Sequence, residues 1–137
     1  MAVNPFQLEI PRMDAGAQFM SEFLAEIREP NTATISPTRF ATKLQIEQQQ
    51  LAALARVHRN TVARTPVSPV LQGYLRDAVR VIAAAANLSG DSERVLYWFR
   101  NQPISPFGYQ TPDQIVADGK AGQLIRYLES LEAGFAG

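Results

Sequence analysis

The side chains able to do covalent or acid–base chemistry are few. The sequence has 137 residues, no cysteine and one histidine. Without cysteine there is no disulfide, thiolate zinc site, iron–sulfur cluster or cysteine nucleophile. His58 has no acid beside it in sequence to orient it as a general base. Asp113 and Asp118 stand five apart on a short predicted helix, so they do not share a face. Gly119-Lys120-Ala121-Gly122 lacks the first glycine and the strand context of a phosphate loop. Clustered metal ligands are not apparent either. The sequence therefore points away from an enzyme, with no cofactor and no metal expected. Recognition chemistry remains. Arg59, Asn60, Thr61 and Arg64 lie close together; Arg and Asn match guanine and adenine edges, and Thr and Arg can hold phosphates.

Charge supports that reading locally. The net charge is zero, but residues 36–64 carry Arg39, Lys43, Arg56, Arg59 and Arg64 against Glu47 alone, net +4. Residues 1–35 are net −3, residues 65–90 net +1 and residues 91–137 net −2. A basic block in a neutral chain suits a nucleic-acid-facing surface, although a solvated helix face has the same composition. Hydrophobic residues make up 46% of the chain, enough for a packed core. No apolar run approaches the roughly 18 residues of a membrane span. Met1 to Pro5 has neither a basic nor an apolar leader segment. No membrane association is expected, and a cytoplasmic location fits.

The elements that position these residues all read as helix, with no alternating strand and no internal repeat. Residues 1–13, with Pro5 and Pro11, read as an irregular arm. Asp14 is placed to cap a helix to about Glu29 carrying Phe19, Phe23 and Ile27, stopped by Pro30. Ser36-Pro37 starts a helix with Phe40, Ala41 and Leu44. Two short helices follow, about Gln48–Ala55 and Arg59–Arg64. A long helix from about Pro69 to Asn87 carries Val70, Leu71, Tyr74, Leu75, Ala78, Val79, Ile82, Ala85 and Ala86, as a buried central helix should. Asp91 caps the next, with Val95, Leu96, Trp98 and Phe99. A loop spans Asn101 to Gln110, Thr111-Pro112 opens a short helix ending near Gly119, and the last helix runs from about Ala121 to Glu132 with Gly134 as its left-handed cap.

The run from Gln48 to Arg64 resembles the helix-turn-helix of Xre-type regulators. In that resemblance Leu51-Ala52 is the Leu-Ala pair of the first helix and Ala55 the small contact residue. Val57 anchors the second helix and Val62 points into the core. The second helix is then the reading helix, with His58 at its cap and Arg59, Asn60, Thr61 and Arg64 outward, facing operator DNA. Many such turns have glycine where this chain has Arg56, which predicts a reshaped turn.

The C-terminal stretch is the more specific signal. It comprises Trp98-Phe99-Arg100-Asn101-Gln102-Pro103-Ile104, Phe107-Gly108, and Thr111-Pro112-Asp113-Gln114-Ile115-Val116-Ala117-Asp118-Gly119, followed by a leucine-bearing helix. This resembles the toxin-binding domain of the Xre/MbcA/ParS antitoxin family, over about residues 36–137. Seven of the twelve aromatic residues lie between Tyr97 and Phe135, more than two helices and a loop can bury. Trp98, Phe99, Leu124 and Leu128 are expected in the core; Phe107, Tyr109 and Phe135 are expected to face a partner.

The resemblance implies an antitoxin of a type II toxin–antitoxin system that blocks a NAD-consuming toxin of the RES type and represses its own operon. By the same analogy the tail from Glu132 to Gly137 reaches the toxin's active-site entrance, with Glu132 or the terminal carboxylate pairing with its cations. The implied toxin-contacting residues are Phe107, Tyr109, Tyr127, Glu132, Phe135 and Gly137. The implied fold is all-α: an arm and helix over residues 1–35, an Xre-like helix-turn-helix over 36–66, and a helical toxin-binding region over 67–137. Two-fold half-sites imply a homodimer inside a toxin–antitoxin hetero-oligomer. Phe19, Phe23 and Ile27 either supply that dimer contact or pad the core. A stand-alone transcriptional regulator without a toxin is the alternative.

Overall fold

The computed structural model describes the backbone of residues 5–136 and the side chains of residues 15–133. Eight α-helices succeed one another among them: α1 (Pro5–Ile27), α2 (Pro37–Leu44), α3 (Gln48–Ala55), α4 (Arg59–Arg64), α5 (Pro69–Ala86), α6 (Ser92–Asn101), α7 (Pro112–Ala117) and α8 (Ala121–Ala136). A 3₁₀ turn, Ser105–Phe107, lies between α6 and α7. No strand occurs among the described residues; Arg28 with Ile35, and Ile104 with Gln110, form isolated bridges. The all-α expectation holds. No helix of the described residues is long and apolar enough to cross a membrane.

Local chemistry sets most helix starts. The side chains of Ser36, Ser68 and Asp91 accept from the backbone N–H groups of Arg39, Leu71 and Arg94. Each cap satisfies a donor that has no partner inside its helix. Pro37, Pro69 and Pro112 occupy the first helical turn, where a missing N–H leaves nothing unpaired.

The helix α5 is the hub. It packs against α1, α2, α3, α6, α7 and α8. Leu71, Leu75, Ala78, Val81 and Ile82 are fully buried on it. Val70, which the periodicity places in the buried stripe, is exposed, although its neighbour Leu71 in the same turn is fully buried. Gln72 is buried and uses its whole amide. Its Oε1 accepts from the Ile35 N–H at 3.1 Å, and its Nε2 donates to the carbonyls of Ile35 at 2.7 Å and Pro66 at 2.8 Å. One side chain thus fastens both ends of the α2–α4 segment to α5.

Two helix ends differ from the sequence reading. The irregular arm expected over residues 1–13 is helical from Pro5, so α1 runs through Pro11 and Asp14, and Asp14 does not cap it. An interior proline removes one ladder bond without abolishing the rest, and packing of α1 on α2 and α5 supports the element. Residues 1–4 lie outside the described residues. At the other end, Gly134 is not a left-handed cap: α8 continues through it to Ala136. Glycine permits a left-handed stop but does not require one.

Phe19, Phe23 and Ile27 of α1 are buried in the core of the chain itself, with the two rings 5.7 Å apart. Of the two roles open to them, padding the core is the one the fold assigns. Gly16 permits the close approach of α1: a Cβ there would stand 2.6 Å from the Ala86 carbonyl oxygen.

Candidate functional site

The unit α3–turn–α4 is assembled by small contacts. Leu51, Ala52, Ala55 and Val62 are buried, and Val57 is half-buried against the same core. The short side chain of Ala55 lets α4 approach α3. His58 caps α4, its Nδ1 accepting from the Asn60 N–H at 3.1 Å. The ring is thereby engaged as the cap of α4. On α4, Arg59, Asn60 and Arg64 are exposed and Thr61 is half-buried. Among the described residues neither Arg59 nor Arg64 has an ion-pair partner, in contrast to Lys43, which pairs with Glu26 at 2.7 Å. Two free guanidiniums and an amide on one short helix suit phosphate and base-edge contacts.

The turn into α4 is not reshaped by arginine. Arg56 takes the left-handed conformation (φ 59°, ψ 44°) that glycine takes most easily. The backbone closes as a Schellman motif: the Val57 N–H donates to Ala52 and the Arg56 N–H to Ala53. The Arg56 guanidinium then spans 62 positions of sequence to pair with Asp118 at 2.5 Å. Packing of α3 on α7 brings the two together. Asp118 also accepts from Gln110 Nε2 at 2.8 Å. These hydrogen bonds, from Gln110 first and Arg56 second, hold its carboxyl below the ordinary carboxylate range.

The C-terminal block sorts its aromatics. Phe99, Leu124 and Leu128 are buried as expected, and Trp98 is half-buried against the core. Phe107 and Tyr127 pack edge to face at 6.0 Å, both half-buried. Tyr109 is 71% exposed, in a left-handed conformation (φ 63°) directly after left-handed Gly108. Glu132 is exposed. The side chain of Phe135, and Gly137 altogether, lie outside the described residues.

Sequence reasoning missed Tyr97, which is 63% exposed with the Arg100 guanidinium 6.0 Å from its ring centre. Helical periodicity carries the signal, because Tyr97 lies two residues from both buried Val95 and buried Phe99 and so on the opposite face. An apolar groove lined by Leu88, Val95, Trp98, Leu128 and Leu131 was missed too.

Asp113 lies at the start of α7, where its carboxylate accepts from the Thr111 hydroxyl and the Gln114 N–H. Burial nevertheless pushes its carboxyl above the ordinary range. Asp118, by contrast, serves the ion pair with Arg56. Among the described residues no three potential metal ligands cluster. Comparison of the chain with protein-family models, curated proteins and solved structures gave no match.

Proposed function

We propose that the chain is the antitoxin of a type II toxin–antitoxin pair, of the Xre/MbcA/ParS kind. Its helix-turn-helix, α3 and α4, binds operator DNA and represses the operon. Its C-terminal block, through the Tyr109 loop and the end of α8, holds a RES-type NAD-consuming toxin. The observation that carries this reading is the presence of two distinct kinds of free surface: Arg59 and Arg64 on one short helix, without ion-pair partners among the described residues, and Tyr109 exposed on a left-handed loop. The first suits a polyanion and the second an aromatic anchor at a protein interface. Because α8 stays helical to Ala136, the segment offered to the toxin is a helix end and not an extended tail.

The test has two arms. Replacing Arg59 and Arg64 together by alanine abolishes a gel shift with the DNA upstream of the gene; an unchanged shift sinks the DNA arm. Co-expression with the product of the adjacent gene gives a co-purifying complex and rescues growth. Deleting Gly134–Gly137 weakens that rescue while the helical circular dichroism persists. DNA binding without any toxic neighbour to neutralise favours the stand-alone regulator instead.

A further inference from the structure

The Tyr109 loop and the turn into α4 share a hydrogen-bonded bridge. Gln110 is anchored at both ends: its carbonyl accepts from the Ile104 N–H at 2.9 Å, and its side chain donates to Asp118. Asp118 receives Arg56 on its other oxygen. Arg56 is the left-handed residue two places before the cap of α4. On the loop side, Gly108 and Tyr109 are consecutive left-handed residues, and the Phe107 and Tyr109 N–H groups both donate to the Ile104 carbonyl. A non-glycine residue held left-handed persists only where its surroundings fix it. Both ends of the bridge carry one, Tyr109 and Arg56.

We propose that Gln110, Asp118 and Arg56 couple the two surfaces: a protein engaging Tyr109 shifts Gln110, changes how far Asp118 masks the Arg56 charge, and so tunes the affinity of α4 for DNA. The inference rests on the DNA- and partner-binding reading above and adds the device that links them. Coupling of this kind is reciprocal, so DNA on α4 alters the grip at the Tyr109 loop by the same factor. Arg56 is 64% and Asp118 33% exposed, so the link is modest and salt-sensitive.

The test measures fluorescence anisotropy with duplexes from the region upstream of the chain's own gene and with a mixed-sequence duplex, over a range of salt. Asp118→Asn unmasks Arg56 and is expected to tighten binding about two- to fivefold with a steeper salt dependence. Gln110→Ala shifts affinity in the wild-type background and leaves it unchanged once Arg56→Gln is present. In parallel, Gln110→Ala moves the amide NMR signals of Val57, His58 and Asn60, and this too vanishes with Arg56→Gln. Wild-type affinity in Asp118→Asn and Gln110→Ala, while the Arg59/Arg64 double alanine variant loses binding, overturns the coupling and spares the DNA reading. If no duplex binds, or the double variant binds normally, the DNA reading fails. The amide signals then decide the bridge alone: shifts reaching His58 sustain it, and shifts confined to residues 104–118 overturn it.

Discussion

The turn after α3 and the turn after α7 are built alike and filled differently. In both helices a glutamine in the first turn accepts the backbone N–H of the residue before the helix, Gln50 from Glu47 and Gln114 from Thr111. Both end in a Schellman motif, with Val57 bonded to Ala52 and Lys120 to Ile115. At the left-handed position one has Arg56 and the other Gly119. An L-residue there costs roughly 1–2 kcal/mol, which glycine escapes. The α7 turn needs nothing from that side chain, and a Cβ at Gly119 would touch nothing within 4 Å. The α3 turn does: its side chain reaches Asp118, the residue just before Gly119. Of these two turns, the one whose side chain would meet nothing has glycine, and the one whose side chain reaches a neighbour has a strained arginine.

Substitution can separate these two situations. Gly119→Ala has the largest effect, a loss of roughly 1–2 kcal/mol in denaturant unfolding, because open space cannot relieve a backbone penalty. A neutral outcome would break the comparison. Gln45 ends α2 with the same left-handed geometry (φ 59°), and its side chain makes no hydrogen bond among the described residues. Gln45→Gly should therefore stabilise by about 1 kcal/mol, read as a higher urea midpoint with unchanged slope. Arg56→Gly removes the strain and the ion pair together, so the terms offset and stability stays within about 1 kcal/mol of wild type; Arg56→Ala keeps the strain and falls below it. Equal stability of the two would mean that Arg56 is unstrained.

The smallest effect is on pH. The folded-state carboxyl of Asp118 is depressed, so its contribution is present above the unfolded-state value of about 3.8 and is lost as pH falls through the lower folded value. The stability difference between wild type and Asp118→Asn should accordingly be constant at neutral pH and close in acid. Persistence of the difference below that range would assign the effect to packing instead of charge.

Much of this was legible in the sequence because helix boundaries are local. Ser36-Pro37 and Thr111-Pro112 announce their helices within two residues, and the expected bounds of α3 and α4 agree with the helix-turn-helix resemblance carried by Ala55, Val57 and Val62. Failures came where a distant part of the fold decides. Pro11 and Gly134 read as breaks, yet both lie inside helices. Arg56 read as a departure from the turn, whereas Asp118, far away in sequence, supplies the contact its side chain makes. Gln72 gave no sign of burial, since its partners are carbonyls and an N–H that only the fold brings near. For the site, the exposure of Arg59, Asn60 and Arg64 follows the helix-turn-helix resemblance, whereas Thr61 is half-buried; the exposure of Tyr97 follows helical spacing, but the sorting of Phe107 and Tyr109 depended on neighbours that spacing does not specify.

The Gln72 amide has a consequence for how the molecule opens. Ile35 and Pro66 meet on one side chain, so the chain between them is a loop closed at its neck. Breaking that neck removes a tie that both ends of the α2–α4 segment share, so we expect the three helices to open as a cooperative unit of sub-global unfolding once their contacts with α1 and α7 also give way. Native-state hydrogen exchange should give their amides a shared opening free energy, and Gln72→Leu should lower it by about 1–3 kcal/mol by leaving buried backbone groups unpaired. If α4 binds DNA as proposed, its amides should be the ones whose exchange responds most to an added duplex.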